Sequence, residues 1–139
     1  MNRIVAETPR LILREMCSAD AEPFFRLNAD PEVIRYTGDK AFADIEAAKT
    51  FLSAYDHYRL YGFGRWALIH KEQQDFIGWC GLKFSPDKNE VDVGYRLFRS
   101  QWNKGFATEA ALASIDLGFK QFNLPDIVGR CMKENYASI

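Results

Sequence analysis

Polar and apolar residues alternate from Glu90 to Phe98 (Glu-Val-Asp-Val-Gly-Tyr-Arg-Leu-Phe), with β-branched and aromatic side chains prominent. That pattern predicts a strand. The loop Arg99 to Gly105 follows, then a helix-period pattern from Phe106 to Phe122. Phe106, Ala110, Ala113 and Leu117 share one helix face, while Leu112, Ile115, Phe119 and Phe122 form a second face nearly opposite. Small residues (Ala107, Ala111, Ser114, Gly118) run between them and would let a backbone approach closely. Only Glu109, Asp116 and Lys120 make a polar stripe. A helix apolar around most of its circumference is expected to be buried, here against a sheet on one side and another element on the other. A glycine-bearing loop opening such a helix leaves backbone N–H groups unpartnered at the positive end of the helix dipole. Such a place suits an anion, phosphate above all.

The upstream pattern supplies the rest of a mixed fold. Thr8 to Arg14 is a short strand after a proline, with Leu11 and Leu13 on one face. Ser18 reads as the cap of a helix running to Asn28, helped by Asp20 and Glu22 in its first turn. Asp30-Pro31 looks like a second cap and a helical turn that Gly38 ends. Asp44 to Tyr61 predicts one long helix, with Ile45, Ala48, Leu52 and Tyr55 along one side and Gly62-Phe63-Gly64 as its stop. Three strands follow with short polar turns: Arg65 to His70, Phe76 to Phe84, and the strand at Glu90. They predict an antiparallel meander. Ile127 to Met132 supplies a last strand, expected parallel to the Glu90 strand by a right-handed crossover. Lys133 to Ile139 reads as the start of another helix, with Asn135 as its cap.

Length and charge narrow the function. One domain, residues 1–139, is the expectation for 16.0 kDa, and 47% hydrophobic residues suffice for a core. Lys and Arg number 18 against 19 Asp and Glu, with no basic run, which argues against nucleic-acid binding as the main activity. No stretch reads as a membrane span or a signal peptide. Cys17, Cys80 and Cys131 lack metal-ligand spacing and read as reduced core thiols of a cytoplasmic protein. His57 and His70 have no carboxylate or thiol partner at ligand spacing, so no metal is expected. Trp66, Trp79 and Phe84 read as core.

The segment Val91-Asp92-Val93-Gly94-Tyr95-Arg96-Leu97, followed by Trp102-Asn103-Lys104-Gly105-Phe106-Ala107-Thr108-Glu109-Ala110, resembles a strand, pyrophosphate loop and helix of the GCN5-related N-acetyltransferases. The match is nearest to the branch that acetylates protein N-termini, typified by the ribosomal-protein alanine acetyltransferases. That family's loop reads Gln/Arg-x-x-Gly-x-Gly/Ala. Gly105 and Ala107 fill its last two signature places, Trp102 takes the Gln/Arg slot, and Asn103 stands where a glycine is frequent. The α/β order agrees with the family's fold: strand, two helices, three antiparallel strands, helix, strand. The family pattern continues past Asn135-x-x-Ser138 with the rest of a helix and a closing hairpin. The expectation is therefore a domain truncated at its C-terminus, with an exposed Ile127–Met132 edge that invites homo-oligomerisation.

The resemblance implies acetyl-CoA as cosubstrate and a primary amine as acceptor, either a protein N-terminus or a small molecule, with direct transfer in a ternary complex. It implies a cofactor cradle from Trp102 and Asn103 through Lys104, Gly105, Phe106 and Ala107 to Thr108, using backbone N–H groups. It implies a backbone donor at Val93 or Gly94 for the thioester oxygen, in a strand carrying a bulge. Asp92 stands where this branch usually has Glu and would take the proton of the ammonium through a water. Asp92 as a solvated strand carboxylate, or one paired with Arg96, is the alternative. Ser138, with Tyr136 as alternative, would protonate the leaving thiolate, and Asn135 would contact the pantetheine arm. Arg35, Tyr36 and Asp39 fall where the family forms one wall of the acceptor cleft. Two rival readings stand beside this one: a coenzyme A-binding module without catalysis, and an unrelated nucleotide binder. The latter is weakened by the lack of Gly-Lys-Ser/Thr in the loop.

Overall fold

A computed structural model describes residues 3–35 and 40–129. Its described strands form one sheet in chain order, β1 (Ile4–Glu7), β2 (Leu11–Glu15), β3 (Arg65–His70), β4 (Phe76–Ser85), β5 (Glu90–Leu97) and β6 (Val128–Gly129). The first five are antiparallel neighbours; β6 is parallel to β5, with Asp92 opposite Val128 and Val93 opposite Gly129. Between β2 and β3 lie α1 (Ala21–Ala29), α2 (Pro31–Ile34), α3 (Ile45–Ala54) and α4 (His57–Tyr61). The helix α5 (Phe106–Lys120) joins β5 to β6. Among the described residues no helix is long and apolar enough to cross a membrane.

Alternation along the strands separates two cores. Leu11, Leu13, Trp66, Leu68, Ile77, Cys80 and Leu82 face α5, which adds Phe106 and Ala110. On the other side Ala67 and Ile69 meet Met16, just past β2, and Phe24, Ala48 and Leu52 from α1 and α3. The stripe of α5 that reaches the sheet is Phe106, Ala110, Ser114 and Gly118, a spacing of four with small residues where the approach is closest. Cys80 Sγ lies 3.5 Å from Ser114 Oγ, and burial raises the thiol to about 11, so Cys80 is an inert core thiol. Trp66 is fully buried, as expected, whereas Trp79 is half-buried and flanked by guanidinium groups.

Three expectations need correction. The expected long helix is broken at Tyr55–Asp56, and the cause is tertiary: Tyr55 Oη receives the amide of Arg65 at 2.9 Å, while its ring packs edge-on against Tyr58 at 5.0 Å. The second apolar face of α5 is only partly covered by the described residues: Leu112 and Phe119 are 63% and 45% exposed, while Ile115 and Phe122 are half-buried. A strand was missed at Ile4–Glu7, whose four residues are too few to show a period. The described part of the last strand is Val128–Gly129; Arg130 to Met132, Cys131 and the Asn135 helix start lie outside the described residues.

The short α4 is held to the sheet by His57, whose Nε2 accepts the Phe84 amide at 3.0 Å, beyond the point where β3 ends. Burial, then the nearby Arg65 and Lys83 charges, lowers the His57 pKa despite opposing Asp56 and Asp92. The unfolded state therefore binds a proton that the fold excludes, so this contribution is present above ~6.5 and is lost as pH falls below it. We expect the urea midpoint to drop on acidification from neutrality more steeply in the native protein than in His57→Asn. Parallel pH dependences for the two would remove His57 from this role.

Candidate functional site

The residues singled out in the sequence occupy β5 and the turn behind it. Trp102 anchors the turn, its indole donating to the Leu97 carbonyl at 3.0 Å. Asn103 and Gly105 both take left-handed backbone, φ 62° and 82°. Asn is among the few side chains that tolerate this region, so it performs the geometric task of the glycine frequent there. Lys104 lies between them, exposed. Phe106 is buried at the start of α5, with Ala107 half-buried and Thr108 exposed in the same turn.

No side chain caps α5. Glu109 is the residue whose amide first returns to the turn, donating to the Gly105 carbonyl at 3.0 Å. The amides of Phe106, Ala107 and Thr108 thus precede the helical ladder at the positive end of the dipole. The turn is braced from outside its own segment. Arg10 Nε donates to Glu109 Oε1 at 2.8 Å, Arg10 Nη1 to the Lys104 carbonyl at 2.8 Å, and the guanidinium lies over the Phe106 ring at 4.3 Å. Thr8 Oγ1 and the Arg10 amide both donate to Glu109 Oε2, at 2.5 and 3.0 Å. Burial alone would raise the Glu109 carboxyl, but these bonds and the Arg10 charge outweigh it and hold it below its ordinary value.

On β5, Asp92 is half-buried and bound to Arg65, not to Arg96: Arg65 Nη2 meets Asp92 Oδ1 at 2.7 Å. Arg65 Nη1 also donates to the carbonyls of Gly81 and Asp92, at 2.8 and 3.3 Å. Arg96 instead binds Asn28 Oδ1 of α1, and the two guanidinium groups each lie 5.2 Å from the Trp79 ring centre. Gly94 is not at a bulge in the β4–β5 ladder, where the register runs unbroken from Gly78–Leu97 to Ser85–Glu90. Its lack of a side chain admits the Arg65 guanidinium, which a Cβ there would meet at 2.9 Å. Val93 is the last residue of β5 in the described pairing with β6.

Asp92, Val93 and Gly94 thus lie along β5, and Trp102 to Thr108 lie just past its end. Between Asp92 and Leu97 the strand covers about 17 Å at ~3.4 Å per residue. Asn135, Tyr136, Ser138, Tyr36 and Asp39 lie outside the described residues, while Arg35 is exposed and 3.7 Å from Glu32. Tyr58 accepts from the Met16 amide and donates to the Arg65 carbonyl. Burial raises its hydroxyl far above neutrality, which makes it structural. Sequence reasoning missed Thr8, Arg10 and Arg65. The only signal for the first two was an unexplained Thr-Pro-Arg ahead of a strand, and Arg65 had none. Among the described residues no group of His, Cys, Asp and Glu could hold a metal ion.

Residues 10–139 match a family model described as an acetyltransferase (GNAT) domain. An uncharacterized N-acetyltransferase of Bacillus licheniformis, p20, is 37% identical over 134 residues, spanning 95% of this chain and 75% of its own. The crystal structure of an acetyltransferase from Agrobacterium tumefaciens str. C58 superposes with a TM-score of 0.82 at 26% identity, over 96% of this chain and 77% of that one. RimL, a ribosomal L7/L12 alpha-N-protein acetyltransferase, solved in complex with coenzyme A, superposes with a TM-score of 0.79 over 98% of this chain and 78% of its own. At 16% identity this last likeness is one of fold.

The left-handed turn predicts an asymmetry between its two special positions. Gly105→Ala should destabilise the fold by ~1–2 kcal/mol in urea denaturation, because a Cβ there is strained. Asn103→Gly should be close to neutral. Equal costs would mean that the turn tolerates side chains at both places and is not fixed by its dihedrals.

Proposed function

The chain belongs to the GNAT acetyltransferase family, and from that premise we propose that it moves the acetyl group of acetyl-CoA directly to a primary amine in a ternary complex, with the turn at Lys104–Thr108 as the cofactor cradle. The observation that carries this reading is the uncapped start of α5 behind the left-handed Asn103 and Gly105. Amides without helical partners at the positive end of a helix suit a pyrophosphate. The donor sets agree, since backbone N–H groups bind without regard to the Lys104 side chain. Acetyl-CoA, when bound, supplies an acetyl thioester. The length of β5 between the cradle and Asp92 suits an extended pantetheine arm laid along the strand.

The oxyanion and base roles belong to residues of β5. A backbone N–H of Val93 or Gly94 would donate to the oxygen on which charge develops, a contribution often worth ~3 kcal/mol. Amide formation needs the acceptor amine neutral. Asp92, with Oδ1 held by Arg65, keeps Oδ2 for the ammonium proton, taken through a bridging water because Asp is short. The acceptor is a peptide N-terminus or a small amine, and a cytoplasmic location suits an acetyl-CoA-dependent enzyme. The carboxy-terminal residues Asn135 and Ser138 are carried by the resemblance alone, as contacts to the pantetheine arm and the leaving thiolate.

Two measurements test this reading. Calorimetry with coenzyme A should show Gly105→Val weakening binding on the order of tenfold or more, about 1.4 kcal/mol per factor of ten, and Lys104→Ala much less; the reverse order would mean that a side-chain charge holds the anion. Acetyl transfer to a peptide library should fall most at low pH in Asp92→Asn, with coenzyme A affinity nearly intact. An unchanged pH–rate profile would leave Asp92 a purely structural partner of Arg65.

A further inference from the structure

The start of α5 carries an electrostatic conflict. Glu109 is the acid of its first turn, a negative charge at the same helix end where the cradle would receive a pyrophosphate. Uncompensated, it would share the helix dipole with the ligand and repel it. The protein resolves this with residues outside the cradle segment. Both oxygens of Glu109 are bound, Oε1 by Arg10 Nε at 2.8 Å, and Oε2 by Thr8 Oγ1 at 2.5 Å and the Arg10 amide at 3.0 Å. The Glu109 side chain is 17% exposed, so its charge is only partly screened by solvent, while the Arg10 side chain is 42% exposed.

The same guanidinium touches the cradle itself. Nη1 holds the Lys104 carbonyl at 2.8 Å, the planar group stacks on Phe106 at 4.3 Å, and Nη2 lies 3.2 Å from where a Cβ on Gly105 would stand. One cation therefore holds the turn at Lys104 and Phe106, leaves little room for a side chain at Gly105, and neutralises the acid behind it. A lysine could supply the charge but not the planar fork that reaches Glu109 and Lys104 together.

We propose that Arg10 is a positioning residue of the cofactor site, neutralising Glu109 and fixing the Lys104–Phe106 turn so that the helix start is free to take the pyrophosphate of coenzyme A. The inference rests on the cradle reading given above. It makes Arg10 act through charge as well as shape, and these two contributions can be separated. In Arg10→Met, Glu109 keeps its bonds from Thr8 Oγ1 and the residue-10 amide but loses its cation, leaving an uncompensated negative charge at the helix start; in Arg10→Met with Glu109→Gln, the repulsion is gone although the brace is still missing.

Calorimetric titration of coenzyme A into the full chain at fixed ionic strength tests it. Arg10→Met should weaken binding on the order of tenfold, Arg10→Lys by less, and the double variant with Glu109→Gln should recover most of the loss. Pantetheine, which has no phosphate, should bind Arg10→Met as it binds the native protein, an outcome that a collapsed site would not give. If Arg10→Met does not fold by circular dichroism, Thr8→Val removes one bond to Glu109 and should lower coenzyme A affinity by a smaller factor. Native-like binding by Arg10→Met, or a double variant no better than the single one, overturns the proposal. A native protein that does not bind coenzyme A, or a Gly105→Val variant that binds it undiminished, overturns the cradle reading itself and this inference with it.

Discussion

Everything at the candidate site depends on how closely α5 sits on the sheet. Phe106, Ala110, Ser114 and Gly118 are buried in one line on the sheet, where α5 meets β2, β4 and β5, and small side chains set the distance. A helix seated this way cannot slide or rotate without opening a cavity in a core packed at crystal-like density. Its first turn is therefore fixed relative to the end of β5, and the seven residues from Arg99 to Gly105 must close a prescribed gap. They do so with a short 3-10 turn at Arg99–Gln101 and two left-handed residues. The geometry of the turn is thus a consequence of core packing, although the turn itself is exposed.

Burial also decides which charges matter. Arg26–Glu22, Arg59–Asp56 and Lys120–Asp116 are exposed pairs within single helices, of a kind that contributes a few tenths of a kcal/mol and is screened by salt. Arg14–Asp20, Arg10–Glu109 and Arg65–Asp92 differ in kind. Each joins a guanidinium to a shielded acid, and each also ties the acid or the arginine to backbone groups. Removing one partner of such a set leaves charge and hydrogen-bonding groups unsatisfied in a place water reaches poorly. Two of the three sit where function is expected, one behind the turn and one on β5, and this places the constraint on local electrostatics more than on stability.

The elements that a short-range pattern determines were legible in the chain. The Arg65–His70 strand has the observed bounds, the α5 helix starts at the expected Phe106, and β6 is parallel to β5 as a strand–helix–strand order requires. The resemblance at Asp92–Tyr95 and Trp102–Ala110 led to the right family. What was not legible comes from contacts distant in sequence. The break at Tyr55 is set by the amide of Arg65, the partner of Glu109 lies 99 positions upstream, and no periodicity encodes either. The exposure of Leu112 and Phe119 was misread because hydrophobicity says that a face could be covered, not that it is. The Asn103 geometry was open from sequence and is closed by its dihedral, since Asn reaches the left-handed region that the turn needs.

Gly94 shows how one long-range contact changes the meaning of a motif. From the chain alone, a glycine in Asp92-Val93-Gly94-Tyr95 signals either a bulge or room for a neighbour to pack, and the family resemblance adds a backbone donor there. The unbroken β4–β5 register excludes a bulge in that ladder, and the space above the Gly94 α-carbon holds a guanidinium instead. That guanidinium belongs to Arg65, 27 positions from Asp92, and it binds the Asp92 carboxylate, the Asp92 carbonyl and the Gly81 carbonyl at once. Gly81 lies opposite Gly94 in the ladder, and a Cβ there would strike the Gly64 carbonyl, so it is the glycine at 94 that leaves room for the guanidinium. An alanine at 94 would push the cation away from the carboxylate it holds. The aspartate and the glycine of this motif are therefore linked through a third residue: the glycine makes room for the cation that orients the acid.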